Sequence, residues 1–170
     1  MAKRFVTKIL ASLSTFLAIP LMKEVLIFVL SMSPVLELRG GLIAASLLHM
    51  NPIESYIICV VGNILPIPLI LLFFDKILEW MRKGKKLKKI AKRVDKKVEK
   101  NRPKIEKYGY LGLVFFVAIP LPGTGAWTAC LVASALKLGK KKSFIYTAIG
   151  TVIAGLITVL VTFGILARYV

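Results

Sequence analysis

Two charged side chains, Glu37 and Arg39, lie within an apolar run, residues 25–50, that is long enough to cross a bilayer. Each charge costs about 2.5 to 3.5 kcal/mol at the centre of a spanning helix, so charges at this depth usually have a function. Because a low dielectric favours the neutral form of a carboxyl group, Glu37 is a candidate proton carrier or a counter-ion for a cationic substrate. Arg39 is a candidate partner for Glu37 in one state and for a substrate phosphate or carboxylate in another. A static ion pair that only fastens the fold is the alternative.

The backbone around these charges predicts a broken helix. Pro34 precedes them, and Gly40 and Gly41 follow them. Proline lacks a backbone donor and glycine is permissive for non-helical conformations, so the helical hydrogen bonds should be interrupted here. We expect a re-entrant hairpin over residues 25–50, with each arm shorter than about ten residues and the charged tip near the bilayer midplane.

The same pattern returns 88 residues later without a gap. The aligned identities include Pro34 with Pro122, Ala45 with Ala133, Ser46 with Ser134, Leu48 with Leu136, Ser55 with Ser143, Gly62 with Gly150 and Leu72 with Leu160. Proline, glycine and paired Ala-Ser positions seldom keep one offset by chance, so we expect two repeats, each a hairpin followed by a spanning helix. Two unrelated apolar segments that match by composition are the alternative.

The second hairpin is predicted over residues 110–136. Its expected tip contains Pro120, Pro122, Gly123, Thr124, Gly125 and Trp127. Two prolines and two glycines predict an unwound backbone, and Thr124 and Trp127 are candidates to line a substrate path. Ordinary aromatic packing is an equally good explanation of Trp127.

Asn63 is a further candidate site residue, at the middle of a predicted spanning helix over residues 53–74. Pro66 and Pro68 follow it, and prolines free backbone carbonyls that can line a cavity. Alternatively, Asn63 hydrogen-bonds a neighbouring helix and the prolines only bend their own.

The composition predicts one all-α integral membrane domain, because 57% of the 170 residues are hydrophobic and the mean hydropathy is +0.77. The net charge of +17 is concentrated in residues 75–107, where we count 15 Lys/Arg against 5 Asp/Glu. Apolar residues three or four apart within that segment predict an amphipathic helix or linker, whose part from residue 82 to 107 binds anionic lipid headgroups. Cys59 and Cys130 are expected to be small buried hydrophobes, and no cofactor or metal is expected.

The positive charges also predict a topology. The turn that contains His49 and Asn51 has no Lys or Arg and is expected outside, whereas residues 137–142 are rich in Lys and are expected in the cytoplasm. The expected order is a first transmembrane helix (5–22), repeat one (25–74), the basic segment (75–107) and repeat two (110–167). With the N-terminus and the basic segment cytoplasmic, in the plasma (inner) membrane of a prokaryote, the two repeats are inverted relative to each other.

Several motifs resemble one family. Residues 34–40 (PVLELRG), 62–68 (GNILPIP), 108–112 (YGYLG) and 119–127 (IPLPGTGAW) are similar to those of the small multi-drug export proteins, distant relatives of the DedA (SNARE-associated, VTT-type) membrane proteins. The resemblance covers nearly the whole chain. It implies two oppositely oriented re-entrant hairpins and, for DedA, recycling of undecaprenyl phosphate and proton-linked drug tolerance. Glu37 matches an acidic residue of the first DedA hairpin, whereas the DedA arginines around the second hairpin have no counterpart in residues 118–127.

The sequence thus predicts a membrane transporter and not an enzyme, since it has no metal-spaced His/Cys set, Gly-x-Ser-x-Gly motif or nucleotide loop. We expect a proton-linked secondary transporter that exports or flips a small amphipathic substrate through a midplane site between the hairpins. A DedA-like flippase or scramblase for an anionic polyprenyl phosphate or phospholipid is the alternative. The expected partners are the bilayer, a small-molecule or lipid substrate and protons, but not nucleic acid; homo-oligomerisation is left open.

Overall fold

A computed structural model describes residues 20–83, 96, 99, 103, 107–119 and 124–166. The described residues form helices, turns and bends, so the all-α prediction is confirmed for this part of the chain. The helices are α1 (Pro20–Met32), α2 (Glu37–Leu47), α3 (Pro52–Ile64), α4 (Pro66–Lys83), α5 (Lys107–Ala118), α6 (Ala126–Ala135) and α7 (Lys140–Leu166). Residues 5–19 of the predicted first transmembrane helix, and most of the basic segment, lie outside the described residues.

The helices break near both predicted tips, but the breaks are shorter than expected. Gly40 and Gly41, predicted as part of the first tip, lie within α2, and Trp127, predicted as part of the second tip, lies within α6. The first tip, residues 33–36, separates α1 from α2, and the second tip, residues 119–125, separates α5 from α6. Within the first tip the hydroxyl of Ser33 accepts hydrogen bonds from the backbone N–H groups of Val35 and Leu36, at 3.3 and 3.5 Å. This side chain supplies an acceptor at the point where the helical hydrogen bonds are interrupted.

The arms of the first broken helix are longer than expected, 13 residues in α1 and 11 in α2. We expected residues 20–22 to end the first transmembrane helix, but they lie in α1, which continues through Lys23 and Glu24. The ammonium group of Lys23 donates to the carbonyl of Leu48, at 3.3 Å, just beyond the C-terminal end of α2.

The predicted spanning helix over residues 53–74 is present as α3 followed directly by α4. Its hydrogen bonds are interrupted next to Leu65, since Pro66 cannot donate a backbone hydrogen bond, but Leu65 keeps helical φ and ψ values of −53° and −44°. Asn51 fixes its start, because the Asn51 side chain accepts hydrogen bonds from the N–H groups of Ile53 and Glu54. α4 then continues to Lys83, so the expected boundary at residue 74 falls inside a helix.

Within the part of the chain that the structure describes, two stretches are long and apolar enough to cross a membrane: Pro52–Phe73, with mean hydropathy 2.4, and Lys140–Gly164, with mean hydropathy 2.2. Many large apolar side chains lie on the outer surface of the described part, Leu160 and Leu47 among them, while polar side chains such as Ser31 and Thr147 are buried. Apolar residues on the surface and hydroxyls inside are the distribution expected where lipid is the solvent.

The turns after α2 and α6 have the same conformation. His49 and Lys137, which are 88 positions apart, have φ values of 52° and 54°. Three backbone hydrogen bonds also recur at this offset: Leu48 to Ala44 with Leu136 to Val132, His49 to Ser46 with Lys137 to Ser134, and Met50 to Ala45 with Leu138 to Ala133. Each turn thus closes its helix with the same local hydrogen bonds before the next helix begins.

The helices that follow these turns, α3 and α7, pack against each other. Near the start of α3, the Tyr56 hydroxyl donates to the carbonyl of Val152, at 3.1 Å, and the Tyr56 ring packs against Gly155. Near the end of α3, Asn63 lines the same cavity as Thr151. The two helices that follow the equivalent turns thus contact each other along much of α3.

Gly62 and Gly150 allow these helices to approach the arms that precede them. A Cβ atom at Gly62 would lie 2.8 Å from the carbonyl oxygen of Phe28 in α1, and one at Gly150 would lie 2.9 Å from that of Val114 in α5. We expect alanine at either position to separate the backbones and lower the free energy of unfolding by about 1–3 kcal/mol. Thermal melting in detergent measures the loss, with Gly164→Ala as the control because a Cβ there meets nothing within 4 Å. Equal melting of all three variants would contradict the close packing.

Candidate functional site

Arg39, in the first turn of α2, connects the first broken helix to the second tip. Its guanidinium group donates to the backbone carbonyls of Thr124, at 3.1 Å, Ile119, at 3.1 Å, and Val117, at 3.3 Å. These carbonyls belong to the end of α5 and to the second tip. The last carbonyls of a helix have no donor within the helix. The half-buried guanidinium group of Arg39 therefore caps the end of α5 and fastens the start of α2 to the second tip.

Glu37, the first residue of α2, is 9% exposed and lies against the second tip. A Cβ atom at Gly125 would overlap the Glu37 carboxylate, so the carboxylate occupies the space that the missing side chain leaves. Gly125 immediately precedes α6, and the N-terminal end of a helix favours a negative charge. Arg39 also attracts this carboxylate electrostatically.

The backbone of Glu37 is unusual. Its φ of 52° lies in the left-handed region, which residues other than glycine seldom adopt. Such conformations cost free energy and occur preferentially where a functional side chain must be aimed. Gly125 occupies the position that corresponds to Glu37 under the offset of 88, so the two equivalent residues contact each other across the junction of the tips.

A small cavity lies beside this contact, with a volume of about 10 Å³, which is about the room that one water molecule requires. Its lining includes Glu37, Leu38, Asn63, Gly125, Ala126 and Thr151. These six residues form three pairs that are related by the 88-residue offset, one member from each half of the chain. Equivalent positions from the two halves therefore converge on a single buried point.

Asn63 is 2% exposed, and its Oδ1 atom has no hydrogen-bond partner among the described residues. That oxygen is therefore available to a water or ligand in the cavity. Thr151 was not among the predicted site residues, although its alignment with Asn63 under the offset could have identified it. Its hydroxyl donates to the carbonyl of Thr147, at 3.0 Å, one turn earlier in α7.

Of the other predicted tip residues of the second hairpin, Thr124 contributes its carbonyl to Arg39, while its hydroxyl donates to the carbonyl of Ile119, at 3.1 Å. Trp127 does not line the cavity; it packs, half-buried, against the apolar cluster that includes Leu113 and Phe116. The remaining tip residues, Pro120, Pro122 and Gly123, lie outside the described residues.

In the first hairpin, Pro34 is exposed, and Gly40 packs against the Leu36 side chain. Gly41 allows α2 to pack closely against Ser31 of α1 and Cys59 of α3, since a Cβ atom at Gly41 would lie 2.8 Å from the Cys59 sulfur. These glycines therefore contribute to helix packing rather than to the cavity lining.

Cys59 and Cys130 are free and fully buried, as expected of small hydrophobic side chains. Within the described ranges, no group of three or more His, Cys, Asp or Glu side chains could hold a metal ion. The candidate site is thus a carboxylate, a guanidinium group, an amide and a hydroxyl at the junction of two broken helices.

The model of one protein family matches residues 37–157, which is well over half of the chain. The family is described as "Putative small multi-drug export protein", and the matched region includes Glu37, Arg39, the second tip and most of α7. No curated protein and no solved structure gives a significant match. The extent of the family match shows that this chain is a membrane protein of the small multi-drug export protein family.

Proposed function

We propose that this protein is a proton-linked secondary transporter that exports or flips a small amphipathic substrate. The observation that carries the proposal is the position of Glu37, a buried carboxylate at the contact between the two tips. Binding of a proton to this carboxylate weakens its attraction to Arg39, which also fastens the second tip. Protonation at one residue is thereby linked to the contact that must open for a substrate to pass.

The proposed architecture is two inverted repeats, each a re-entrant hairpin followed by a spanning helix. Support comes from the turns with equivalent hydrogen bonds at an offset of 88, and from the cavity in which equivalent residues of the two halves meet. The contact between the equivalent residues Glu37 and Gly125 is expected where a two-fold axis in the membrane plane relates the halves. Transporters with inverted repeats bind substrate near such an axis, between discontinuous helices.

The size of the cavity sets a requirement on the mechanism. About 10 Å³ accommodates a water molecule or a proton carrier, whereas sites for drug-sized molecules measure about 300–1,000 Å³. The substrate must therefore bind in another conformation, in which the tips have separated. Separation breaks the hydrogen bonds from Arg39 to the carbonyls of Thr124, Val117 and Ile119. We propose that the described conformation is the closed state between two open ones.

The DedA-like alternative, a flippase or scramblase for an anionic polyprenyl phosphate or phospholipid, requires a cation that binds the phosphate. Arg39 is the candidate, but it already donates to three backbone carbonyls. Phosphate binding would have to replace these hydrogen bonds. The geometry thus favours Arg39 as a fastener of the tips in the closed state and favours a substrate that interacts with Glu37, a cation above all.

Transport by the purified chain in proteoliposomes tests the proposal. A lipophilic cation and a polyprenyl phosphate should be assayed side by side, each with and without a pH gradient. We expect cation flux that is driven by the gradient and absent from protein-free liposomes. Flux of polyprenyl phosphate that ignores the gradient would favour the flippase alternative, and flux of neither compound would refute the transport role.

A cysteine-labelling experiment tests the proposed topology. In a background without native cysteines, Asn51→Cys lies in the turn after α2 and Lys141→Cys lies in the first turn of α7. We expect a membrane-impermeant thiol reagent to label the first in intact cells and the second only after permeabilisation, because Lys-rich turns stay in the cytoplasm. Labelling of both from the same side would refute the inverted repeats.

We further propose a prokaryotic plasma membrane as the location, with the basic segment on the cytoplasmic leaflet. Residues 82–107 would bind anionic headgroups, each basic side chain near the surface contributing about 1 kcal/mol. Binding of a peptide with this sequence to vesicles with and without anionic lipid measures the interaction, and equal binding to both would refute it.

A further inference from the structure

Three hydroxyl side chains, Ser143, Thr147 and Thr151, recur every four residues on α7 and thus share one face of the helix. We call them the hydroxyl column. Their exposed fractions are 0%, 0% and 1%, so the whole column is buried, although α7 elsewhere presents large apolar side chains such as Ile149 outward.

The column leads from one end of α7 to Glu37. At its outer end, Ser143 directly follows the exposed residues Lys140, Lys141 and Lys142 in the first turn of the helix. At its inner end, Thr151 lines the cavity that also contains Glu37 and Asn63. The Thr151 hydroxyl donates to the carbonyl of Thr147, which connects the two inner members of the column.

Two polar atoms along this line have no protein partner, and a third has only a thiol beside it. Among the described residues, the Ser143 hydroxyl and the Asn63 Oδ1 atom are buried without a hydrogen bond, and the Thr147 hydroxyl contacts the Cys130 thiol, a weak hydrogen-bonding group. Buried polar atoms are nearly always paired, and water pairs with them where the protein does not. The column therefore has the hydrogen-bonding capacity for a short file of water molecules that ends beside Glu37.

The corresponding positions on α3 are Ser55, Cys59 and Asn63. Ser55 and Cys59 differ from Ser143 and Thr147 in their hydrogen bonding. Ser55 donates to the carbonyl of Asn51, at 2.7 Å, so its hydroxyl is satisfied by its own helix. Cys59, at the middle position, has a thiol, which is a weak hydrogen-bonding group. Asn63 is thus the α3 residue that offers water a binding position beside the cavity, and the outer part of the α3 series does not match the column.

We infer that water enters at the Ser143 end of α7 and reaches Glu37 along the hydroxyl column, which makes the column the proton path to the site. The inference rests on the proposed function, since it assigns a route to the proton that Glu37 binds. The charged and titratable groups that face Glu37 are Arg39 on α2 and the Cys130 thiol on α6. α3, α5 and α7 contribute Asn63, Val117 and Thr151 to the cavity, none of which titrates.

The native cysteines allow a test of water access that does not depend on transport. Cys130 lies next to Thr147, whereas Cys59 lies in the α3 series, and both are 0% exposed. Ag⁺ binds thiols and travels with water. We expect Ag⁺ to protect Cys130 of the full-length chain in detergent at least tenfold faster than Cys59, as read by mass spectrometry after alkylation in denaturant. Equal rates, or faster protection of Cys59, would overturn the inference.

Transport provides the second readout, with the lipophilic cation as the probe. Thr147→Val removes the central hydroxyl and should lower the flux driven by a pH gradient at least tenfold, while Thr147→Ser should retain it. Thr158→Val is the matched control, because Thr158 is a buried threonine of α7 whose hydroxyl donates to its own helix at Ala154. Unchanged flux in Thr147→Val, with flux lost in Glu37→Gln, would overturn the path alone. Flux that is absent from the wild type would refute the proposed function, and the Ag⁺ rates would then decide on the path.

Discussion

Glu37→Gln is expected to abolish the dependence of transport on a pH gradient while the chain still accumulates and melts close to the wild type. Glutamine keeps the shape and much of the hydrogen bonding of the carboxyl group but does not titrate. The loss of the negative charge leaves Arg39 with its hydrogen bonds to the carbonyls of Thr124, Val117 and Ile119. Arg39 is thus not left without partners, and the melting temperature should change little.

Arg39→Gln is expected to have a different effect, on stability as well as on transport. It removes the donors of three backbone carbonyls and leaves Glu37 without its positive neighbour. Removal of one partner from a buried ion pair costs about 3 to 5 kcal/mol, so this variant should melt well below Glu37→Gln. Denaturation in detergent measures the difference between the two single variants.

The double variant Glu37→Gln with Arg39→Gln decides between a functional pair and a fastener. The double variant has no buried carboxylate that has lost its positive neighbour. We therefore expect a higher melting temperature than for Arg39→Gln, without recovery of transport. Recovery of stability together with pH-driven transport would show that the charges serve only the fold. A Glu37→Gln variant that fails to accumulate would also contradict the assignment of Glu37 as a proton carrier.

The residues that meet at the junction could be predicted from sequence, because the free-energy cost of placing charged groups in an apolar segment marks them. Glu37 and Arg39 stand out as charges in an apolar run, and the offset of 88 aligns Asn63 with Thr151. Because the offset is constant and has no gaps, each residue of the first half has a defined equivalent in the second half. The positions that converge can therefore be named before any contact is known.

Other features depend on contacts that the sequence does not specify. The predicted first transmembrane helix ended at residue 22, whereas Lys23 lies within α1 and its ammonium group reaches a carbonyl beyond α2. Arg39 was expected to pair with Glu37 or with a substrate, and its backbone partners follow from where the second tip unwinds. Trp127 was a site candidate because it is near the tip, yet its position on α6 directs it to the apolar cluster.

Gly125→Ala is expected to have the second large effect, although it adds only one methyl group. The added Cβ atom would overlap the Glu37 carboxylate, so either the carboxylate or the start of α6 must move. Overpacking of this kind costs about 1–3 kcal/mol, and a displaced carboxylate should lower pH-driven transport at least tenfold. Gly164→Ala, whose Cβ would meet nothing within 4 Å, serves as the control for both measurements.

A double-mutant cycle with Glu37→Ala isolates this contact. Alanine at residue 37 has no carboxylate, so the methyl group at residue 125 then has space, and Gly125→Ala should cost only the strain that its φ of 158° imposes on a residue other than glycine. We expect the two substitutions to be non-additive, with an interaction energy of about 0.5 to 3 kcal/mol, as is usual for residues in contact. Additive losses would mean that Glu37 and Gly125 are not in contact in the folded protein. The proposed proton site would then lack the contact between Glu37 and the second tip on which it depends.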